Sequence, residues 1–166
     1  MRKAILIPVI VFFISCGEDK MKRPSPPATV NVKTNSGNEI GIDYSQPGVK
    51  NREIGKEIAP YGQVWRTGAN EATVFEITRD AKIEGHELPA GRYSLYSVPG
   101  KDQWIFIFNK MWDQWGTEYD QKEDALRVSV TPGKSPRFVE RMTFSIDQSG
   151  KVVLQWGNVE SGFHVQ

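Results

Sequence analysis

One cysteine and two histidines are the chain's whole stock of soft ligands and ready nucleophiles among 166 residues. A single thiol excludes an internal disulfide framework and any multi-thiolate zinc site. His86 reads as an exposed residue near a hairpin tip and His164 as part of a C-terminal edge strand. A shared metal would need both beside a carboxylate, and nothing in their spacing brings them together. No G-x-S-x-G elbow and no glycine-rich phosphate loop is present. The acidic neighbours Glu123 and Asp124, like Glu84 and Glu87, have the character of solvated faces. The sequence therefore assigns no catalytic residue, no metal ligand and no cofactor.

The densest polar and aromatic cluster is Trp65-Arg66-Thr67-Gly68-Ala69-Asn70-Glu71-Ala72. It offers a stacking ring, a forked cation, an amide and a carboxylate on one loop, where binding sites sit on rigid β scaffolds. In a pocket, Trp65 would be a platform, Arg66 would take an anion or carboxylate, and Asn70 and Glu71 would take hydroxyls. Gly68 is expected to supply a turn with unusual dihedrals. The alternative is a structural plug, with Arg66 paired to Glu71 or another acid and Trp65 in the core. Trp112 and Trp115 lie in a loop with Asp113 and Gln114. They fit either a sugar-stacking rim, joined by Tyr96, or a hydrophobic cover over one end of the fold. Trp104 lies in an apolar run and belongs to the core.

The cysteine has a different context. Arg2 and Lys3 precede an uncharged, mostly apolar run from Ala4 to Ile14. A membrane span needs about 20 apolar residues, so this shorter run fits the hydrophobic part of an export signal. Phe13-Ile14-Ser15-Cys16 resembles a bacterial lipobox, in which a small residue precedes a cysteine that is acylated and becomes the new N-terminus. Phe13 stands where leucine is usual. The alternative is a plain signal peptide with an incidental cysteine. The lipobox reading divides the chain into a signal over 1–15, a lipidated Cys16 with a tether over 16–27, and a body over 28–166. It implies three acyl chains, and each buried CH₂ contributes about 0.8 kcal/mol to membrane attachment. The tether GEDKMKRPSPP is charged and then proline-rich, and is expected to be extended and flexible. Glu18 and Asp19 leave open whether the protein faces the periplasm or the cell surface.

From Ala28 the chain reads as strands. Alternation of apolar and polar residues marks Thr29 to Lys33, Glu39 to Tyr44, Arg92 to Val98, Leu126 to Val130, Val139 to Ile146 and Lys151 to Trp156. Glu71 to Thr78 is strand-like with one break in phase. Lys82 to Leu88 reads as a hairpin turning at Glu84-Gly85. Trp104-Ile105-Phe106-Ile107-Phe108 is continuous enough to be a central strand buried on both faces. A short last strand runs from Phe163 to Val165. Only Arg52 to Ile58 hints at a helix, of one or two turns. The expectation is an all-β antiparallel sandwich, jelly-roll-like, with at most one short helix. At 39% hydrophobic residues the body has material for a core. A formal net charge of +1 argues against nucleic-acid binding through bulk electrostatics.

Four segments together resemble a bacterial family, the domain of unknown function 2911. They are Pro60 to Thr73 (PYGQVWRTGANEAT), Leu88 to Leu95 (LPAGRYSL), Trp104 to Lys110 followed by Trp115-Gly116, and Tyr119-Asp120 through Asp124-Ala125-Leu126-Arg127-Val128. They occur in order across most of 28–166. The resemblance implies an exported, frequently lipidated protein, and with it a Gram-negative source and the outer membrane. It supplies no activity. Some relatives bear an amidotransferase-like label, but here the lone thiol is the expected lipid site.

Three readings follow. The first is a membrane-anchored module binding a glycan, a peptide or an envelope component. It uses Trp65, Arg66, Asn70, Glu71, Tyr96, Trp112 and Trp115. The second is a structural or assembly accessory of the outer membrane, docking another protein by a face or strand edge. The third and least favoured is a hydrolase, which would need a deep pocket with two convergent titratable groups. Solvent access to Arg66, Asn70, Glu71 and Trp112 separates the first from the others. Neither oligomeric state nor ligand identity is legible.

Overall fold

The computed structural model describes residues 20–166; the expected signal, Cys16 and the first residues of the expected tether lie outside them. Ten strands follow one another: β1 (Pro27–Lys33), β2 (Glu39–Ser45), β3 (Val74–Ile77), β4 (Ala81–Ile83), β5 (His86–Leu88), β6 (Gly91–Val98), β7 (Trp104–Asn109), β8 (Asp124–Val130), β9 (Gly133–Ile146) and β10 (Lys151–His164). Six of them form one sheet in the order β1-β2-β3-β6-β7-β8, with every pairing antiparallel. The chain is thus an all-β sandwich, as its alternation implies. Its large sheet is a meander, simpler than a jelly-roll order, interrupted only by the β4–β5 hairpin.

That hairpin turns at Glu84 and Gly85, with φ of 49° and 81°, the left-handed pair a two-residue turn requires. It belongs to the second layer. Ile83 bridges Val165, and Lys82 and Gln166 exchange backbone hydrogen bonds of 2.9 Å. The rest of this layer is the β9–β10 ribbon. β10 bends at Gly157, φ 57°, between two register shifts, and its end returns to its start, where the Val165 N–H donates to the Gly150 carbonyl. The two short strands read from the sequence are the two arms of this bent strand.

The core fills the space between the layers. Phe75, Phe106 and Phe108 of the large sheet meet Phe163 edge-on at 5.0–5.7 Å. Tyr44 crosses to Phe144, its phenol oxygen accepting the Phe144 N–H at 3.1 Å. The outer face of β6 and β7 is covered too. Ser94, Tyr96, Ile107 and Asn109 are buried there, beneath the loop joining β7 to β8. This cover is why β7 is apolar on both faces and why β6 shows no alternation in burial.

Two expectations need correction. No helix forms over Arg52–Ile58, because Lys50, Asn51, Gly55 and Ala59 all take positive φ. The segment is instead a knot of turns closed by an Ile54–Ile58 bridge. Helical geometry in the body is confined to a 3₁₀ turn, Gln121–Glu123, whose cap Asp120 accepts the Lys122 N–H at 2.9 Å. The tether, moreover, is engaged from Lys20 onward. The carbonyls of Pro24, Ser25 and Pro26 accept hydrogen bonds from Arg141, Asn70 and Gln46 respectively.

Candidate functional site

β3 is shorter than β6 and leaves the end of β6 unpaired on that side. The β2–β3 connection fills the place. Thr73 accepts the Leu95 N–H at 2.7 Å, and Trp65 exchanges backbone bonds of 2.7 and 2.8 Å with Ser97. Trp65 is therefore held in an extended ladder position, where successive side chains point to opposite faces. Its ring turns inward, stacking on Trp156 at 5.2 Å with planes 9° apart and meeting Trp104 edge-on. Arg66, the next residue, turns outward beside Tyr96.

The turn after Arg66 is tight and buried. Thr67 and Asn70 take φ of 47° and 60°. Thr67 Oγ1 meets Ser97 Oγ at 2.9 Å, and Thr73 Oγ1 donates to the Thr67 carbonyl. Gly68 is not the residue in the left-handed region, contrary to expectation. It is needed for close approach, since a Cβ there would lie 2.6 Å from Thr73 Oγ1. Gly116 donates its N–H to Asn70 O at 3.0 Å, and Glu71 bridges Trp115.

Arg66 opens into a cleft of about 390 Å³ lined also by Val64, Trp65, Tyr96, Gly116, Thr117 and Tyr119. The Tyr96 and Tyr119 rings lie 4.8 Å apart and form its wall. Tyr96 donates its phenol proton to Glu118 O and accepts from Gln114 Nε2. Burial pushes its phenol above the ordinary value. Tyr119 donates to Asp124 Oδ2 at 2.8 Å, Arg127 Nη2 donates to the Tyr119 oxygen at 2.6 Å, and Arg127 Nε donates to Asp124. Burial first, then the hydrogen bond and charge of Asp124, push the Tyr119 phenol up to about 12. Arg127 is thus matched by a carboxylate. Arg66 is half-buried, and among the described residues its guanidinium has no hydrogen-bond or ion-pair partner.

The seven residues singled out in the sequence therefore divide. Trp65, Arg66 and Tyr96 border one cleft, although Trp65 gives it an edge and not a free ring face. Asn70 turns to the N-terminal segment and β2, donating to Ser25 O and Ser45 Oγ. Glu71 takes Arg23 on both oxygens at 2.9 Å and Lys20 at 3.3 Å. Partial burial opposes ionisation of Glu71, but its own backbone N–H, Arg23 and Lys20 outweigh that and hold the carboxyl below the usual range. Trp112 lies under the Arg92 guanidinium, 4.7 Å from the ring centre. Trp115 is 46% exposed. Tyr119 and Thr117 were missed; the signal was the Tyr119, Asp124 and Arg127 triplet in the motif that runs into β8.

Depressions of similar size lie on the β1–β2 surface and beside β4–β5, at about 330 and 410 Å³, but neither has an aromatic wall. Among the described residues no group of three His, Cys, Asp or Glu side chains converges as metal ligands would.

A family model described as "Protein of unknown function (DUF2911)" matches residues 25–165. No curated protein and no solved structure matches the chain.

Proposed function

The chain belongs to this family of unknown function, and we propose that it is a membrane-anchored lipoprotein of the bacterial cell envelope whose sandwich binds a carboxylate-bearing glycan or peptide in the Arg66 cleft. The observation that carries the reading is the guanidinium itself: half-buried, unpaired among the described residues and set against two tyrosine rings. A forked cation in a cleft bordered by the half-buried Tyr119 suits a planar carboxylate joined to a ring or an apolar chain, with Tyr96, 1% exposed, backing the wall from beneath. The cleft's other ionisable groups, Tyr96 and Tyr119, both have phenols pushed upward. That is poor material for acid–base work near neutrality and weighs against a hydrolase. The anchor is Cys16, and its support is the signal-like sequence before it. The second reading, an assembly accessory, draws on the sheet edges: β1 and β8 each pair on one side only within the large sheet.

Arrays of acidic and neutral oligosaccharides and peptides, probed with the purified mature protein and with Arg66→Gln, test the binding proposal. Acidic ligands that are retained by the wild type and lost with Arg66→Gln support it. A binding profile untouched by the substitution refutes it. For the anchor, labelled palmitate is expected to enter the wild type and not Cys16→Ser.

A further inference from the structure

We propose that the anchored domain does not swing on a spacer but rests on the bilayer through the face that carries Met21 and Trp115. The inference builds on acylation of Cys16. Its own basis is where the chain becomes fixed. Lys20 and Arg23 are both paired with Glu71, and the carbonyls of Pro24, Ser25 and Pro26 are held by Arg141, Asn70 and Gln46. Lys20 is four chain steps beyond Cys16, and fully extended these span at most about 14 Å. The surface around Glu71 is thus confined to the immediate neighbourhood of the acyl chains.

That surface is suited to the position. Glu71 and Trp115 face each other in an antiparallel bridge, so their side chains stand on the same side, with Cβ atoms about 5 Å apart. Trp115 is 46% exposed, and Met21, between the two cations that grip Glu71, is 64% exposed. Met111, 51% exposed, is on the loop that carries Trp115. Three of the six exposed large hydrophobic residues among those described thus occupy the two segments next to the anchor. Tryptophan favours the membrane–water boundary, where its ring is part apolar and part wet. The cations Lys20, Lys22 and Arg23 are offset by Glu18, Asp19 and Glu71. Attraction to anionic headgroups is therefore minor; the short leash and the apolar side chains hold the contact, and salt should hardly affect it.

The test uses full-length, lipidated protein reconstituted in phosphatidylcholine vesicles. With Cys16 acylated, Trp115→Cys introduces the only free thiol, which takes a nitroxide spin label. Asn35→Cys carries the label just past the far end of β1, about 20 Å along the strand from Pro27. Collision with lipid-soluble oxygen and with an aqueous nickel chelate is read at both positions. The expected result is a several-fold rise in the oxygen-to-nickel ratio at position 115 on adding vesicles, unchanged in high salt, and no rise at position 35. Flotation with the vesicles while position 115 stays as open to nickel as position 35 overturns the docking and leaves the anchor standing. Failure to float, with a free Cys16 thiol by mass spectrometry, overturns the anchor and the docking with it. Shielding of position 115 from both reagents, with vesicles or without, shows a protein surface there and overturns the bilayer as its occupant.

Discussion

Gly116→Ala is the sharpest probe of how the cleft is built. A Cβ at this position would lie 2.6 Å from Arg66 Cδ and 2.8 Å from the backbone oxygen of Asn70. The arginine stem can swing aside, but the Asn70 carbonyl is part of the buried turn between Thr67 and Thr73 and cannot. Relief must come from parting the two backbone segments, which stretches the 3.0 Å bond from Gly116 N to Asn70 O. Overpacking of this kind costs about 1–3 kcal/mol, and a weakened hydrogen bond about 0.5–1.5 kcal/mol more. A loss of roughly 2–4 kcal/mol lowers the unfolding midpoint of a domain this size by about 6–12 °C. Gly133→Ala is the control, since a Cβ there meets nothing within 4 Å. It should leave the midpoint within about 2 °C of the wild type. Calorimetry or circular dichroism on the two variants decides the matter. If both melt with the wild type, the segments are not in the contact described, and the cleft loses the wall that places Arg66.

Asp124→Asn removes the carboxylate that helps hold Tyr119 at about 12; its phenol should then titrate closer to 10, read as phenolate absorbance. In the wild type the raised phenol contributes stability that is complete below the unfolded-state value near 10 and is lost as pH climbs toward 12; urea midpoints across that window should fall less in Tyr119→Phe. Glu71 has the opposite sign: its lowered carboxyl contributes stability above the unfolded-state value and loses it as pH falls through the folded one. At 41% side-chain exposure the global effect is small, so the readout is local: Glu71→Gln should hasten trypsin cleavage after Lys20 and Lys22, leaving the midpoint unmoved. Trp65→Ala deletes the ring stacked on Trp156; a cost of about 2–4 kcal/mol in urea unfolding is expected, and a cost under about 1 kcal/mol would place Trp65 outside the core.

The sequence discloses the sandwich because half-buried strands carry a period of two. Thr29 to Lys33 and Glu39 to Tyr44 show it openly, and both are edge or near-edge strands with one wet face. The Ile54 and Ile58 pair shows how the same logic fails. Their spacing of four imitates a helix, but the glycine and the left-handed residues around them close a turn that later packs against β10, where Gly157 would meet Ile54 at 3.0 Å if it had a Cβ. That is a tertiary contact, invisible to local pattern. The candidate site divides in the same way. Trp65 and Arg66 stand out by type, but their separation to opposite faces follows from the two bonds to Ser97, which lies 32 positions on in the chain. Tyr119 reaches the cleft only because its loop crosses the outer face of β6.

Arg66 has no carboxylate partner among the described residues, although acids stand close to it in the chain. Two acids of the neighbouring segments are already taken: Glu71 by Lys20 and Arg23, and Asp124 by Tyr119, Arg127 and Asn109. A partly desolvated cation with no partner is a net cost to the fold. Its aliphatic stem lies against Gly116, where an added Cβ would come within 2.6 Å of Arg66 Cδ. Arg66→Met keeps that stem and removes the charge. If the charge serves a ligand, the ligand-free variant should be more stable than the wild type, by about 0.5–1 kcal/mol in urea unfolding, and should bind acidic ligands more weakly. If the guanidinium instead supports the structure, the same change should cost about 1 kcal/mol or more. A measured loss of that size would remove the reason for assigning the cleft a ligand, because the residue would then be explained by the fold alone.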